Sequence, residues 1–138
     1  MTNKKHLLFA LLPVLLFFSC GDPMSTTVIK ISNNSSYDLH LDFENSDGVG
    51  MFLILDVSKN QSVSREYGVM GNTAPDPNWG VKSIAFVDLD TNETIAEKSA
   101  LGLKLFVLES LDFESNTLTG GSETAVYSLT ITDTMLEP

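Results

Sequence analysis

The chain has 138 residues, 43% of them hydrophobic, enough for one domain with one core and too few for two comfortable ones. Eighteen Asp and Glu stand against eight Lys and Arg, a formal charge of −10, and so acidic a surface argues against nucleic acid and against direct adsorption to anionic lipid. A single cysteine excludes an internal disulfide and any zinc site built on paired thiolates.

The chain opens with Lys4 and Lys5, followed by an almost wholly apolar run from Leu7 to Phe18 that is broken only by Pro13. Ser19, Cys20 and Gly21 come next. A positive flank, an apolar core of about a dozen residues and a small residue at the exit are the parts of a secretory signal. A permanent span needs about 20 apolar residues, so this run is too short for one.

Phe17-Phe18-Ser19-Cys20 resembles the lipobox of bacterial lipoproteins, in which a small residue precedes an invariant cysteine. The usual leucine three places before the cysteine is Phe17 here, and with Ser-Cys-Gly-Asp the stretch is similar to the lipoproteins of Bacteroidota. The resemblance covers residues 1–22. It implies cleavage before Cys20, a thioether-linked diacylglycerol on its sulfur and an acylated amino terminus. Residues 1–19 would then be a signal peptide, 20–26 a lipidated cysteine with a short tether, and 27–138 the folded domain. Three acyl chains, at about 0.8 kcal/mol per buried methylene, hold a protein far more firmly than one. Without Lys4 and Lys5, six basic residues face eighteen acidic ones, a charge of −12, so a charged partner is expected to be cationic.

The tether, Gly21 to Thr26, reaches at most about 25 Å, which keeps the domain close to its membrane. The address implied by the resemblance is the cell envelope, at the outer membrane. Gly21-Asp22-Pro23-Met24 departs from the acidic run that follows the cysteine in surface-displayed relatives, so both faces of that membrane stay open.

From Thr27 the chain reads as short strands. Thr27 to Ile31 is β-branched, and Asn33 to Ser36 supplies a turn in which side chains bond their own backbone. Tyr37 to Glu44 alternates strictly, which predicts Tyr37, Leu39, Leu41 and Phe43 inside and Asp38, His40, Asp42 and Glu44 in water. Met51 to Val57 is apolar apart from Asp56 and suits a central strand. Gln61 to Tyr67 has strand character. Val69 to Gly80 contains Gly71, Pro75, Pro77 and Gly80, a spacing that predicts no regular element.

Val81 to Asp88 and Glu93 to Lys98 read as two strands joined by an Asp-Thr-Asn turn. Leu101 to Leu108 is apolar with one lysine and fits either a strand or a short helix. Leu111 to Glu114 alternates, and Thr124 to Thr132 closes with Tyr127, Leu129 and Ile131 inside. Seven or eight strands with turn signals every 8 to 12 residues predict an all-β fold, a single antiparallel β-sandwich. The first or last strand should form a sheet edge, with Lys30 discouraging pairing to another chain. The pattern is similar in architecture to immunoglobulin-like and transthyretin-like domains, without the paired cysteines and mid-strand tryptophan of true immunoglobulin domains.

Few residues could carry chemistry. His40, flanked by Asp38 and Asp42, could in principle join a Ser-His-Asp triad, but no Gly-x-Ser-x-Gly elbow accompanies it and alternation places it on an exposed face. Asp88-Leu89-Asp90-Thr91-Asn92 has the first alternate ligands of a calcium loop. It has Glu93 and Ser99 where that loop needs its glycine and its bidentate glutamate, so a hairpin turn is expected. The pairs Asp38 with Asp42 and Asp112 with Glu114 match the spacing of glycosidase acids but lie on exposed faces that leave neither acid desolvated.

Trp79, the only tryptophan, sits in a loop stiffened by Pro75 and Pro77, with Asp76 and Asn78 beside it. Such a group suits a sugar: the ring takes C–H groups while amides and carboxylates take hydroxyls. The competing expectation is a tryptophan folded back as a plug on the sandwich end, because large aromatics usually bury most of their area. Asp133-Thr134-Met135 resembles the O-glycosylation acceptor pattern of Bacteroidota envelope proteins, which makes Thr134 a candidate acceptor.

The expectation is therefore a lipid-anchored envelope protein that acts as a non-enzymatic binding or assembly module, without cofactor or metal. Envelope proteins or glycans are its expected partners, and the membrane is reached through Cys20. A carbohydrate-binding accessory protein using Trp79, Asn78 and Asp76 is the first alternative, and a small hydrolase the second.

Overall fold

A computed structural model describes residues 23–45, 55–99, 104–115 and 120–137. Cys20, the apolar stretch 51–54 and residues 101–103 lie outside the described residues. The described chain runs β1 (Met24–Asn33), β2 (Leu39–Asn45), β3 (Leu55–Val57), β4 (Gln61–Met70), α1 (Pro77–Gly80), β5 (Val81–Asp88), β6 (Thr94–Ser99), β7 (Val107–Glu114), β8 (Ser122–Ile131) and α2 (Asp133–Leu136). The strands form two four-stranded sheets, ordered β4-β1-β8-β7 and β3-β2-β5-β6. This is the all-β sandwich that the alternating pattern predicts.

The core follows from the two-residue period of each strand. Ile29 and Ile31 of β1, Leu39, Leu41 and Phe43 of β2, Ile84 and Phe86 of β5, and Tyr127, Leu129 and Ile131 of β8 are all buried. Each such side chain stabilises the fold by about 1.5–3 kcal/mol relative to exposure. Tyr37 departs from the expectation. It is 39% exposed, because β2 begins two residues later and Tyr37 belongs to the turn before it.

Topology supplies the larger corrections. The first and last strands, β1 and β8, are the two central strands of their sheet and pair in parallel, Thr26 opposite Thr124 through Asn33 opposite Ile131. Lys30 therefore guards no edge. It points outward and reaches over the sheet to Glu109 at 3.0 Å. The described part of β3 lies at the edge of the second sheet instead of its centre. β1 also begins at Met24, inside the expected tether, with Ser25 and Thr27 fully buried.

Buried Asn33 joins the two sheets. Its Nδ2 donates to the carbonyls of Val57 at 2.8 Å and Tyr37 at 2.9 Å, and its Oδ1 accepts from Ser35 N at 3.0 Å and Ser35 Oγ at 2.6 Å. The polar start of β1 fastens the long crossing between β4 and β5: Ser25 Oγ donates to Gly71 O and Thr27 Oγ1 to Pro75 O, both at 2.7 Å. The Glu123 carboxylate accepts from Ala74 N at 3.0 Å. That crossing carries one helical turn where the sequence predicts no regular element. Pro77 takes the first helical position, which needs no N–H donor, and Asp76 caps it through Asn78 N at 2.9 Å.

Candidate functional site

The turn α1 presents Trp79 at one end of the sandwich, and the ring is 76% exposed. The plug expectation is overturned: Phe106, 2% exposed, is buried at this end, while Trp79 stands outside. The cause is local. Asn78 Oδ1 accepts from Phe106 N at 3.0 Å, and Asn78 Nδ2 donates to Phe106 O at 2.9 Å and to Asp76 Oδ1 at 3.0 Å. These bonds fix the turn with its next residue pointing outward.

Trp79 lines a cavity of about 500 Å³, within the range of small-molecule sites. Trp79, Phe106, Val107, Leu108 and Tyr127 give it a largely apolar wall, and Asp76, Asn78 and Lys104 supply its polar groups. Lys104 has a φ of 48°, a left-handed conformation uncommon outside glycine, at the approach to β7. Burial raises the Tyr127 pKa above the usual phenol value, and the carboxylates of Asp76 and Glu123 raise it further. The phenol thus stays protonated and can donate a hydrogen bond to a ligand.

The three residues singled out in the sequence, Trp79, Asp76 and Asn78, all line the cavity, and Asn78 also holds the turn. The Asn78 amide is already bonded to backbone and to Asp76, whereas only one Asp76 oxygen has a hydrogen-bond partner among the described residues. Lys104, Phe106, Val107, Leu108 and Tyr127 are the lining residues that sequence reasoning missed. An apolar run interrupted by a lysine, Leu101 to Leu108, was the one visible signal for the first four, and Tyr127 was read only as core. The arrangement suits a ligand with an apolar face and hydroxyl or ionised groups at its rim.

The other candidates lie elsewhere. His40 does not line the cavity; on β2 it meets its cross-strand partner Asp56 of β3, Nδ1 to Oδ1 at 2.7 Å, while Asp38 accepts from Lys59 N. Asp88 closes the β5–β6 turn, its carboxylate accepting from Asp90 N at 2.9 Å and Thr91 Oγ1 at 3.1 Å, with Asn92 at φ 58°. No cluster of three metal-ligating side chains occurs among the described residues. Asp112 and Glu114 are exposed on β7. Thr134 is exposed on α2, its hydroxyl 2.9 Å from that of Thr132. Compared with protein-family models, with curated proteins and with solved structures, the chain has no match.

Proposed function

We propose that this chain is a lipid-anchored envelope protein whose β-sandwich is a non-enzymatic binding module, with the cavity lined by Trp79 as its ligand seat. The observation that carries the reading is the exposed Trp79 ring, held by the Asp76 cap and the Asn78 clamp at an apolar cavity. Burying such a ring would stabilise the fold by a few kcal/mol, so a fixed exposed position favours use by a ligand. The anchor is the lipobox cysteine, Cys20. With β1 starting at Met24, the four residues from Cys20 span about 14 Å at most, so the cavity works close to the membrane surface.

Carbohydrate is the ligand class that the rim favours. The Trp79 face takes sugar C–H groups, while the Asp76 carboxylate, the Lys104 ammonium and the Tyr127 hydroxyl take hydroxyls. Tryptophan fluorescence tests this, since Trp79 is the only emitter of its kind. Titration with envelope and dietary polysaccharides should shift the emission and protect it from acrylamide. Emission indifferent to every glycan sinks the carbohydrate reading. The anchor is tested separately: Cys20→Ala should abolish labelling with radioactive palmitate, and persistent labelling would overturn it.

A further inference from the structure

β7 ends its sheet, so among the described residues one side of its backbone has no neighbouring strand in that sheet. All eight of its residues are exposed, including Val107, Leu108, Leu111 at 55% and Phe113 at 58%. Register shows which face three of these occupy. Leu108 lies opposite Tyr127, Leu111 opposite Ala125 and Phe113 opposite Glu123, and cross-strand partners share a face. Tyr127 and Ala125 are buried, so the apolar side of β7 is the core side of the sheet, continued beyond the cover that the described residues supply. Phe113 is seated there against Gly121, where an added Cβ would come within 2.6 Å of the ring.

Edge strands are normally guarded by charged side chains, above all lysine, by proline, by a bulge, by a covering segment or by short length. β7 has eight residues, no lysine and no proline, and its charges are Glu109, Asp112 and Glu114. Glu109 sits at an irregularity between Leu108 and Ser110 and pairs with Lys30. Asp112 and Glu114 alternate with the apolar residues on the other face.

We infer that β7 accepts an added strand, supplied by another protein as an extended segment in which apolar and basic residues alternate. Its apolar residues lie beside Leu108, Leu111 and Phe113, and its basic ones beside Asp112 and Glu114. Charge decides against a second copy of this chain. The antiparallel register that sets Leu111 against Leu111 puts Phe113 opposite Glu109, and the register that sets Leu111 against Phe113 puts two Asp112 carboxylates opposite each other. Each copy is also strongly acidic, with a formal charge of −10 over the full sequence. Leu108 also lines the Trp79 cavity, whereas Leu111, Asp112, Phe113 and Glu114 do not, and it is on these that the inference rests.

The test uses residues 23–138, which contain both sheets and every described core residue. The probe is a blocked octapeptide alternating valine and lysine. One control has the same composition with four valines before four lysines, and another alternates valine with glutamate. Amide hydrogen exchange should slow along β7 with the first peptide, which should bind about tenfold more tightly than either control. Asp112→Lys combined with Glu114→Lys should reverse the preference between the lysine and glutamate peptides, with an unchanged urea midpoint as the check on folding. Equal binding of the block control, slowing on β4 alone, or no binding overturns the inference. So does β7 protection already present in the protein alone: at every dilution it means that the chain covers its own edge, and on concentration with doubled mass it means a second copy.

Discussion

Asn78 and Phe106, 28 residues apart, hold each other through both backbone groups of Phe106, the Asn78 Oδ1 accepting at 3.0 Å and Nδ2 donating at 2.9 Å. One side chain thereby locks the turn that carries Trp79 to the strand end that forms the cavity wall. Site shape and local stability therefore share a single amide.

Replacing Asn78 by Ala removes the clamp and leaves two backbone groups of Phe106 without that partner. A loss of about 2 kcal/mol in urea unfolding is expected, together with faster acrylamide quenching of Trp79 as the turn loosens. Asn78→Asp keeps an acceptor for Phe106 N but sets a carboxylate oxygen against Phe106 O and the Asp76 carboxylate, and should cost at least as much as the alanine variant. Equal stability of all three chains would show that the clamp contributes nothing.

Trp79→Ala should separate binding from folding. The ring is mostly in water, so its removal should change stability by no more than about 0.5 kcal/mol, while any ligand of the cavity should bind at least about tenfold more weakly. The unsubstituted protein should emit at the long wavelengths of a solvated indole. Blue-shifted emission protected from quencher would place the ring inside the fold and contradict the outward turn.

Asn33→Leu keeps the branched outline of the side chain but deprives the Val57 and Tyr37 carbonyls and the Ser35 N–H of their buried partner. A cost of about 3 kcal/mol is expected, seen as a lower urea midpoint with an unchanged slope. A midpoint within error of the parent would mean that the two sheets are held without this link.

Alkaline pH should weaken the fold through its tyrosines. Burial, then Asp76 and Glu123, raise the Tyr127 pKa, and burial raises that of Tyr67 despite Arg65 nearby. Above the ordinary phenol pKa of about 10 the unfolded chain has lost these protons while the folded chain still holds them. Their stabilisation is complete below that pH and is lost as pH rises through the raised folded values. Melting temperature should thus be level from pH 8 and fall above about pH 10, with a shallower fall in Tyr127→Phe. An identical slope in that variant would assign the loss to other groups.

Much of the sandwich was legible in the chain itself. Val81 to Asp88 forms a strand over the span its β-branched and apolar residues indicate, and Leu39, Leu41, Phe43, Tyr127, Leu129 and Ile131 are buried as their alternation requires. Alternation is a property of neighbours in sequence, so it specifies faces without reference to the rest of the fold. The turns at Asp88–Asn92 and Asn33–Ser36 were legible for the same reason, since their side chains bond backbone within a few residues.

Strand order and cover had no such signature. Only the assembled sheets put β1 beside β8 in parallel, left the core side of β7 exposed among the described residues and gave His40 the cross-strand partner Asp56 in place of its sequence neighbours. Trp79 shows the difference most plainly. By itself the sequence determined that a lone, large aromatic stood on a proline-stiffened loop, where burial is the default for its size. The tertiary structure turned it outward, because Asn78 found both backbone groups of Phe106 and because Phe106 already filled the buried position at that end of the sandwich.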